Sequence, residues 1–310
     1  MLKSRGCVKI KAPAKINLFL NVLRKRPDGY HDLHSVLQMV SLYDEILCER
    51  TRQGMTLINP SSNLPTDNRN LVVRAAHCLA RKAGITPRVR ITLIKRIPIG
   101  AGLGGGSSNA AATLVALNRL WGLGCSRAEL AGIGQDLGSD VPFFLYGPAA
   151  FVTGRGEKVY PFWFDRDQWL VLINPGFEIS TRWVYQHLTR RQSHHSFPRP
   201  SHMGSIRSWL TKFRQNIKIQ SSGKVTFSYS DLHLYNELER VTEPRYPIIR
   251  EMKACLQAKG AEAALMSGSG PTVFGFFRNR AGAFQAAGKI KHEHSDWKVW
   301  AVKGLRRSPY

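Results

Sequence analysis

The segment Pro98-Ile-Gly-Ala-Gly-Leu-Gly-Gly-Gly-Ser-Ser-Asn109 is the part of this 310-residue chain whose composition points most directly to chemistry. Five glycines fall within the seven residues 100–106, between a β-branched apolar run and an Ala-rich one. Glycine lets the backbone bend and lets a large anion come close to the amides. A helix that starts directly after such a loop adds unpaired N–H groups and a positive dipole end, which bind phosphate. Ser107 and Ser108 bring hydroxyls for phosphate or a metal ion. A plain turn with helix-capping serines is the other reading, but it would need far fewer glycines. Gly100, Gly102 and Gly105 fit GxGxxG, yet a dinucleotide site wants a second strand ending in an acid about 20 residues on. That position falls in Trp121–Cys125, with no such strand. A Gly-Lys-Ser/Thr loop and the protein-kinase Asp-Phe-Gly signature are also missing. A nucleotide loop of another kind is left.

The elements around this loop are mixed. VKIKAPAKINLFLNVL and the residues up to 48 read as strands joined by a turn at Pro27-Asp28-Gly29. Leu71, Ala75, Ala76, Leu79 and Ala80 have helical spacing, with Gly84 as the stop. VRITLIKRIPI (89–99) is a strand, GAGLGGGSS a loop, and 109–123 a helix that Gly124 ends. Ser126 and Glu129 form a capping box for the next helix. Further on come a strand at LVLINPG, a helix near 244–259, the turn SGSGPT (267–272), the strand VFGFF, a helix near 281–290 and the strand WKVWAVK. The expected class is α+β in two domains, 1–165 and 166–310. No acid occurs between Glu178 and Asp231, and 189–225 reads as a basic, partly ordered insertion.

Composition narrows the function classes. The chain is 43% hydrophobic, an ordinary globular balance that excludes disorder as the main state. No apolar run reaches the ~20 residues that cross a bilayer. Lys+Arg 45 against Asp+Glu 21 gives a net charge of +24, a field that attracts nucleic acid, acidic membrane or phosphorylated small molecules. A proteome with a basic bias would give the same figure. The five cysteines are scattered, with no CxxC pair, and the N-terminus has no apolar h-region. A reducing, cytoplasmic location is therefore expected. His194-His195 and His292-Glu-His294 have no further ligands near them in the sequence and read as exposed.

At this point a resemblance carries the reading further. PIGAGLGGGSSNAA resembles the second motif of the GHMP kinases, and the Gly-Gly-Gly-Ser-Ser-Asn form is similar to the branch acting on a cytidylated methylerythritol. Ala12-Pro-Ala-Lys-Ile-Asn-Leu-Phe-Leu20, Arg26-Pro-Asp-Gly-Tyr-His31, Gly138-Ser-Asp-Val-Pro-Phe-Phe144 and Ser267-Gly-Ser-Gly-Pro-Thr272 agree in the same order. The resemblance spans roughly 8–305, and the stretch 189–225 departs from it. It implies a ribosomal-protein-S5-domain-2-like N-terminal domain and a ferredoxin-like C-terminal one, with a cleft between them. It implies ATP-dependent phosphorylation of an alcohol on a cytidine-diphosphate-linked substrate.

The resemblance also implies roles, residue by residue. ATP would lie on Pro98, Ile99, Gly100, Ala101, Gly102, Leu103, Gly104, Gly105, Gly106, Ser107 and Ser108. Mg²⁺ would bridge its phosphates, with Ser108 the protein ligand put forward. Asp140 would take the proton of the acceptor hydroxyl, although a capping or Asx-turn Asp suits Gly-Ser-Asp-Val-Pro equally well. Lys15 would hold the hydroxyl and Asp140; from its strand alone it reads as an outward, solvated lysine. Asn17, two residues on, leaves the same face. Tyr30 would stack on the cytosine and His31 would read its edge. Tyr185 would close the stack from the other domain, unless it is a helix-face core aromatic, and Thr181 would touch the methylerythritol. The expected partners are ATP and the cytidylated small molecule, with no membrane, no specific nucleic acid and at most weak polyanion binding. A sister kinase for homoserine, mevalonate or a sugar would have no use for the aromatic pair. An RNA-binding protein would not need the glycine loop.

Overall fold

The computed structural model describes residues 6–61, 63–188, 218–219, 225–227 and 234–310. The expected basic insertion at 189–225 lies outside them, apart from the backbone of 218–219 and Val225. Two long strands, β1 (Cys7–Lys25) and β2 (His31–Arg50), form an antiparallel hairpin around the predicted turn. They are followed by β3 (Thr56–Ile58), α1 (Leu71–Ala83), β4 (Val89–Ile94), α2 (Gly105–Trp121), α3 (Arg127–Leu137) and α4 (Val141–Tyr146). Then come β5 (Ala149–Thr153), β6 (Lys158–Phe164), β7 (Trp169–Asn174) and α5 (Thr181–His187). β8 (Lys218–Ile219), β9 (Val225–Phe227), β10 (Tyr235–Asn236), α6 (Glu239–Arg245), α7 (Ile248–Ala258), β11 (Ala263–Met266), β12 (Val273–Phe277), α8 (Arg280–Glu293) and β13 (Lys298–Lys303) complete the order.

Among the described residues these strands make a nine-stranded and a four-stranded sheet. In the first, β2 pairs with β5 along residues 35–38 and with β4 along 45–50, so the sheet forks along one long strand. In the second, β11, β12, β7 and β13 lie side by side, all antiparallel. Helices and strands occur with both sheets, which is the α+β class expected. β1 joins the two halves: Phe19 and Leu20 pair in parallel with Tyr235 and Asn236 of β10.

Local chemistry accounts for the helices. Asn70 caps α1 by accepting from Val72 N at 3.0 Å, and Gly84 ends it in the left-handed region at φ 65°. The capping box on α3 is present on both sides. α2 is buried almost all round: Ala110, Ala111, Ala112 and Ala116 are inaccessible, and their small side chains let the helix lie close against β1 and β2.

Two boundaries differ from expectation. The helix begins at Gly105 rather than Asn109, because Gly104 adopts φ 67° and closes the turn one residue before it. It also ends earlier, since Gly122 rather than Gly124 takes the left-handed C-cap. Ser107 and Ser108 therefore belong to the first helical turn and not to the loop. α4 was not foreseen: it is six residues of VPFFLY directly after Asp140.

Candidate active site

A cavity of about 1450 Å³ runs between the glycine loop, the β1–β2 hairpin, the Ser139–Asp140 turn and α5. This exceeds the ~300–1,000 Å³ of an ordinary small-molecule site, so there is room for two ligands. Seven basic side chains line it against three acidic ones, a balance that favours anionic ligands.

The loop that forms its floor is held from behind by a cluster that sequence reasoning missed. Asp44, wholly buried, accepts from the amides of Arg96 (2.6 Å) and Ile97 (2.9 Å) and from Asn109 Nδ2 (2.8 Å), and pairs with Lys95. Lys95 also donates to Asn109 Oδ1 at 3.1 Å. These bonds tie the end of β4 and the start of α2 to β2, so both ends of the glycine segment are anchored. The signal lay in plain view: Lys95 and Asn109 flank the loop in the sequence. The first intrahelical bond is Ser108 N to Gly104 O, at 2.9 Å. The N–H groups of Gly105, Gly106 and Ser107 precede it and have no partner within the helix. Gly105 is tightly packed as well, since a Cβ would come within 3.0 Å of Ile97 and 3.1 Å of Lys95 Nζ, and those side chains would have to give way.

Lys15 and Asp140 are brought together. The Lys15 ammonium donates to Asn17 Oδ1 (2.6 Å) and to the Gly102 carbonyl (2.9 Å), and lies 3.8 Å from Asp140 Oδ2. Its side chain is 6% exposed, so it is no outward lysine, and burial pulls its pKa below the ordinary lysine value while Asp140 opposes the shift. Asp140 occupies the N-cap position of α4, but its carboxylate makes no capping bond and stays 36% exposed to the cavity. The turn Ser267–Gly270 closes over this pair. Ser267 Oγ donates to the Gly102 carbonyl at 3.0 Å and accepts from Asn17 N at 3.3 Å. A Cβ on Gly268 would come 3.2 Å from Lys15 Nζ. Asn236 pins the turn by donating to the carbonyls of Met266 and Gly268, each at 2.8 Å.

Tyr30, His31 and Tyr185 all line the cavity. His31, not Tyr30, stacks on Tyr185, with ring centroids 5.2 Å apart and planes at 30°. Successive residues of an extended chain face opposite ways, so Tyr30 and His31 cannot both meet Tyr185. Tyr30 is 54% exposed and carries the Arg155 guanidinium 4.9 Å above its ring. Burial lowers the pKa of His31, with Lys25 adding to the effect; the Tyr185 phenol is pushed up by its surroundings and by Asp140 and Glu237. Thr181 Oγ1 lies 2.9 Å from Ser269 Oγ, at the cavity edge of α5.

The serines also divide. Ser107 lines the cavity and its hydroxyl faces the Gly138 turn, whereas Ser108 is sealed in the core with Tyr310. The two buried hydroxyls, Ser108 Oγ and Tyr310 Oη, make no hydrogen bond of standard geometry. Ser108 is therefore the wrong serine for a metal in the cavity, because one step along a helix turns a side chain by about 100°. A hard cation takes oxygen ligands, and Ser107 has one on the cavity wall, 3.7 Å from where a Cβ on Gly138 would lie. Of the histidine groups, His194-His195 lies outside the described residues. His294 does gain a neighbour that its sequence context hid: Cys255 Sγ is 4.0 Å from its Nε2, and Glu293, ion-paired with Lys259, is adjacent. None of these lines the cavity. Among the described residues no helix is long and apolar enough to cross a membrane.

Fold and site together define a GHMP kinase, a small-molecule kinase with ATP as phosphoryl donor. Residues 70–148 match the model of the GHMP kinases N terminal domain and 226–296 that of the GHMP kinases C terminal domain. The chain is 42% identical over 302 residues to a 4-diphosphocytidyl-2-C-methyl-D-erythritol kinase of Syntrophus aciditrophicus (strain SB), covering 96% of this chain and 99% of the relative. A crystal structure of a 4-(cytidine 5'-diphospho)-2C-methyl-D-erythritol kinase superposes with TM-score 0.75 at 32% identity, over 96% of this chain and 99% of that one. Homoserine kinase from Cytophaga hutchinsonii shares the fold, with TM-score 0.72 at 18% identity over 99% of this chain and 98% of that one. The chain belongs, within the GHMP kinases, to the family of 4-diphosphocytidyl-2-C-methyl-D-erythritol kinases.

Proposed function

We propose that the chain transfers the γ-phosphoryl group of ATP to the 2-hydroxyl of 4-diphosphocytidyl-2-C-methyl-D-erythritol, giving the 2-phosphate and ADP in non-mevalonate isoprenoid precursor synthesis. The observation that carries this reading is the Lys15–Asp140 pair, 3.8 Å apart, facing a helix start whose first amides are unpaired. Such a transition state is loose, so positioning and charge neutralisation supply most of the catalysis. The amides of Gly105, Gly106 and Ser107 bind the phosphates. Asp140 accepts the proton of the attacking hydroxyl, and Lys15 orients that hydroxyl while its other protons are held by Asn17 and Gly102. Mg²⁺, when bound, offsets charge on the phosphates, and Ser107 is the protein oxygen that would hold it. Tyr185 and His31 receive the cytosine, with Tyr30 as the outer wall and Thr181 at the methylerythritol. The purine end of ATP would lie against Leu64, Pro65 and Leu71, apolar residues that line the same cavity. We read the N-terminal domain as ending near residue 165, between β6 and β7, and place the protein in the cytoplasm, where its five free thiols would stay reduced.

The direct test is incubation with ATP, Mg²⁺ and the cytidylated erythritol, followed by phosphorus NMR. A new phosphomonoester on the acceptor is expected; turnover with homoserine or mevalonate instead would reassign the substrate. Tyr185→Ala should raise the KM for the cytidylated substrate about tenfold, since a stacked base is worth ~1–3 kcal/mol, and leave that for ATP unchanged. An unaltered KM would remove Tyr185 from the base site.

The lowered pKa of Lys15 sets a pH dependence. The ammonium is the working form, and burial makes it lose its proton at lower pH than a free lysine. kcat should therefore fall on the alkaline side below the ordinary lysine pKa. A kcat flat to about pH 10.4 would show that this charge is not used.

A further inference from the structure

On the cytidylated substrate proposed above, we infer that Arg155 neutralises the diphosphate joining base to alcohol, so that the turn between β5 and β6 is a diphosphate site. Arg155 lines the cavity, and among the described residues its guanidinium has no carboxylate at ion-pair distance. The acid that senses it, Asp28, is already engaged by Arg26 at 3.0 Å and by Tyr30 N at 3.1 Å. The turn itself is braced: Arg155 N donates to Glu157 Oε2 at 2.6 Å and Gly156 N to the Thr153 carbonyl at 3.1 Å. The backbone is held while the charged group is left unpaired.

Its position decides which anion it meets. Arg155 covers the ring of Tyr30, at the aromatic end of the cavity. The next residue, Gly156, lies against the other end, where a Cβ would be 3.6 Å from Asp140 Oδ1. A substrate with its base at the aromatic end and its hydroxyl at Asp140 must carry its two phosphates across this turn. The amides of α2 serve the other nucleotide. A guanidinium matches phosphate oxygens with paired hydrogen bonds, which a lysine cannot reproduce.

Calorimetric titration of CDP and of cytidine into the wild type, Arg155→Gln and Arg155→Lys tests this. CDP should bind about 10–100-fold more weakly to Arg155→Gln, as expected for a lost charge-assisted contact. Cytidine should bind as before, Arg155→Lys should recover part of the loss, and the KM for ATP should not move. Equal weakening of CDP and cytidine would mean that Arg155 only supports the Tyr30 ring, and would overturn the proposal. So would unchanged CDP binding, or a rise in the KM for ATP. Failure of both ligands to bind the wild type would instead overturn the cytidylated-substrate reading on which the proposal rests.

Discussion

Asp140→Asn is expected to lower kcat by about 10²–10⁴-fold, the usual contribution of a positioned general base, with the KM for ATP within about twofold of the wild type and the protein still folded at the assay temperature. The position alone suggests a cap for α4, and asparagine caps a helix as well as aspartate does. If capping were the role, the substitution would be nearly silent. The structure favours the chemical role because the carboxylate makes no capping bond, remains open to the cavity and faces the Lys15 ammonium. Asparagine keeps the shape, removes the proton acceptor and leaves Lys15 buried without its counter-charge. Steady-state kinetics and a thermal melt of the same preparation decide between the two. Near-normal turnover would remove Asp140 as the base.

Gly102→Ala should reduce kcat/KM by about 10²-fold or more and lower the melting temperature by a few degrees. Gly102 sits at φ 75°, where a side chain costs roughly 1–2 kcal/mol. A Cβ there would also overlap the backbone carbonyl oxygen of Ser267, which cannot swing away as a flexible side chain would. The Gly102 carbonyl is the acceptor for both Lys15 Nζ and Ser267 Oγ, so parting the two loops displaces the lysine as well. A displacement of about 1 Å in a reacting group is enough for a 10²-fold loss. The neighbouring loop position Gly106 gives the comparison: its Cβ would meet only Leu71 Cδ1, at 3.5 Å, so Gly106→Ala should melt nearly as the wild type. Equal melting temperatures and equal activity in Gly102→Ala would show that the loops are not in contact as described.

Much of this protein is written locally. The stop at Gly84, the capping box Ser126–Glu129, the hairpin turn at Asp28-Gly29 and the glycine density before an Ala-rich helix are short-range signals, and each stands where it was expected. Their physics lies within a few residues: a side chain that reaches its own backbone, a backbone freed of Cβ, a repeat that matches the helical period. What each side chain faces is decided by register and by packing between distant segments, and there local signals fail. Lys15 reads as a solvated strand residue until the loop at Gly102 and the turn at Gly268 bury it. Ser107 and Ser108 are equivalent in composition, but the roughly 100° between successive residues of α2 sends the first to the cavity and the second into the core. His31 rather than Tyr30 meets Tyr185 because β2 begins at His31, and pleating sends its neighbour towards Arg155. The hub at Asp44 joins residues more than 50 positions apart. Sequence alone thus determined most of the elements and the glycine segment that leads into α2, because those depend on neighbours along the chain. Only the tertiary structure decided which groups share the cavity, because that depends on which buried faces are pressed together.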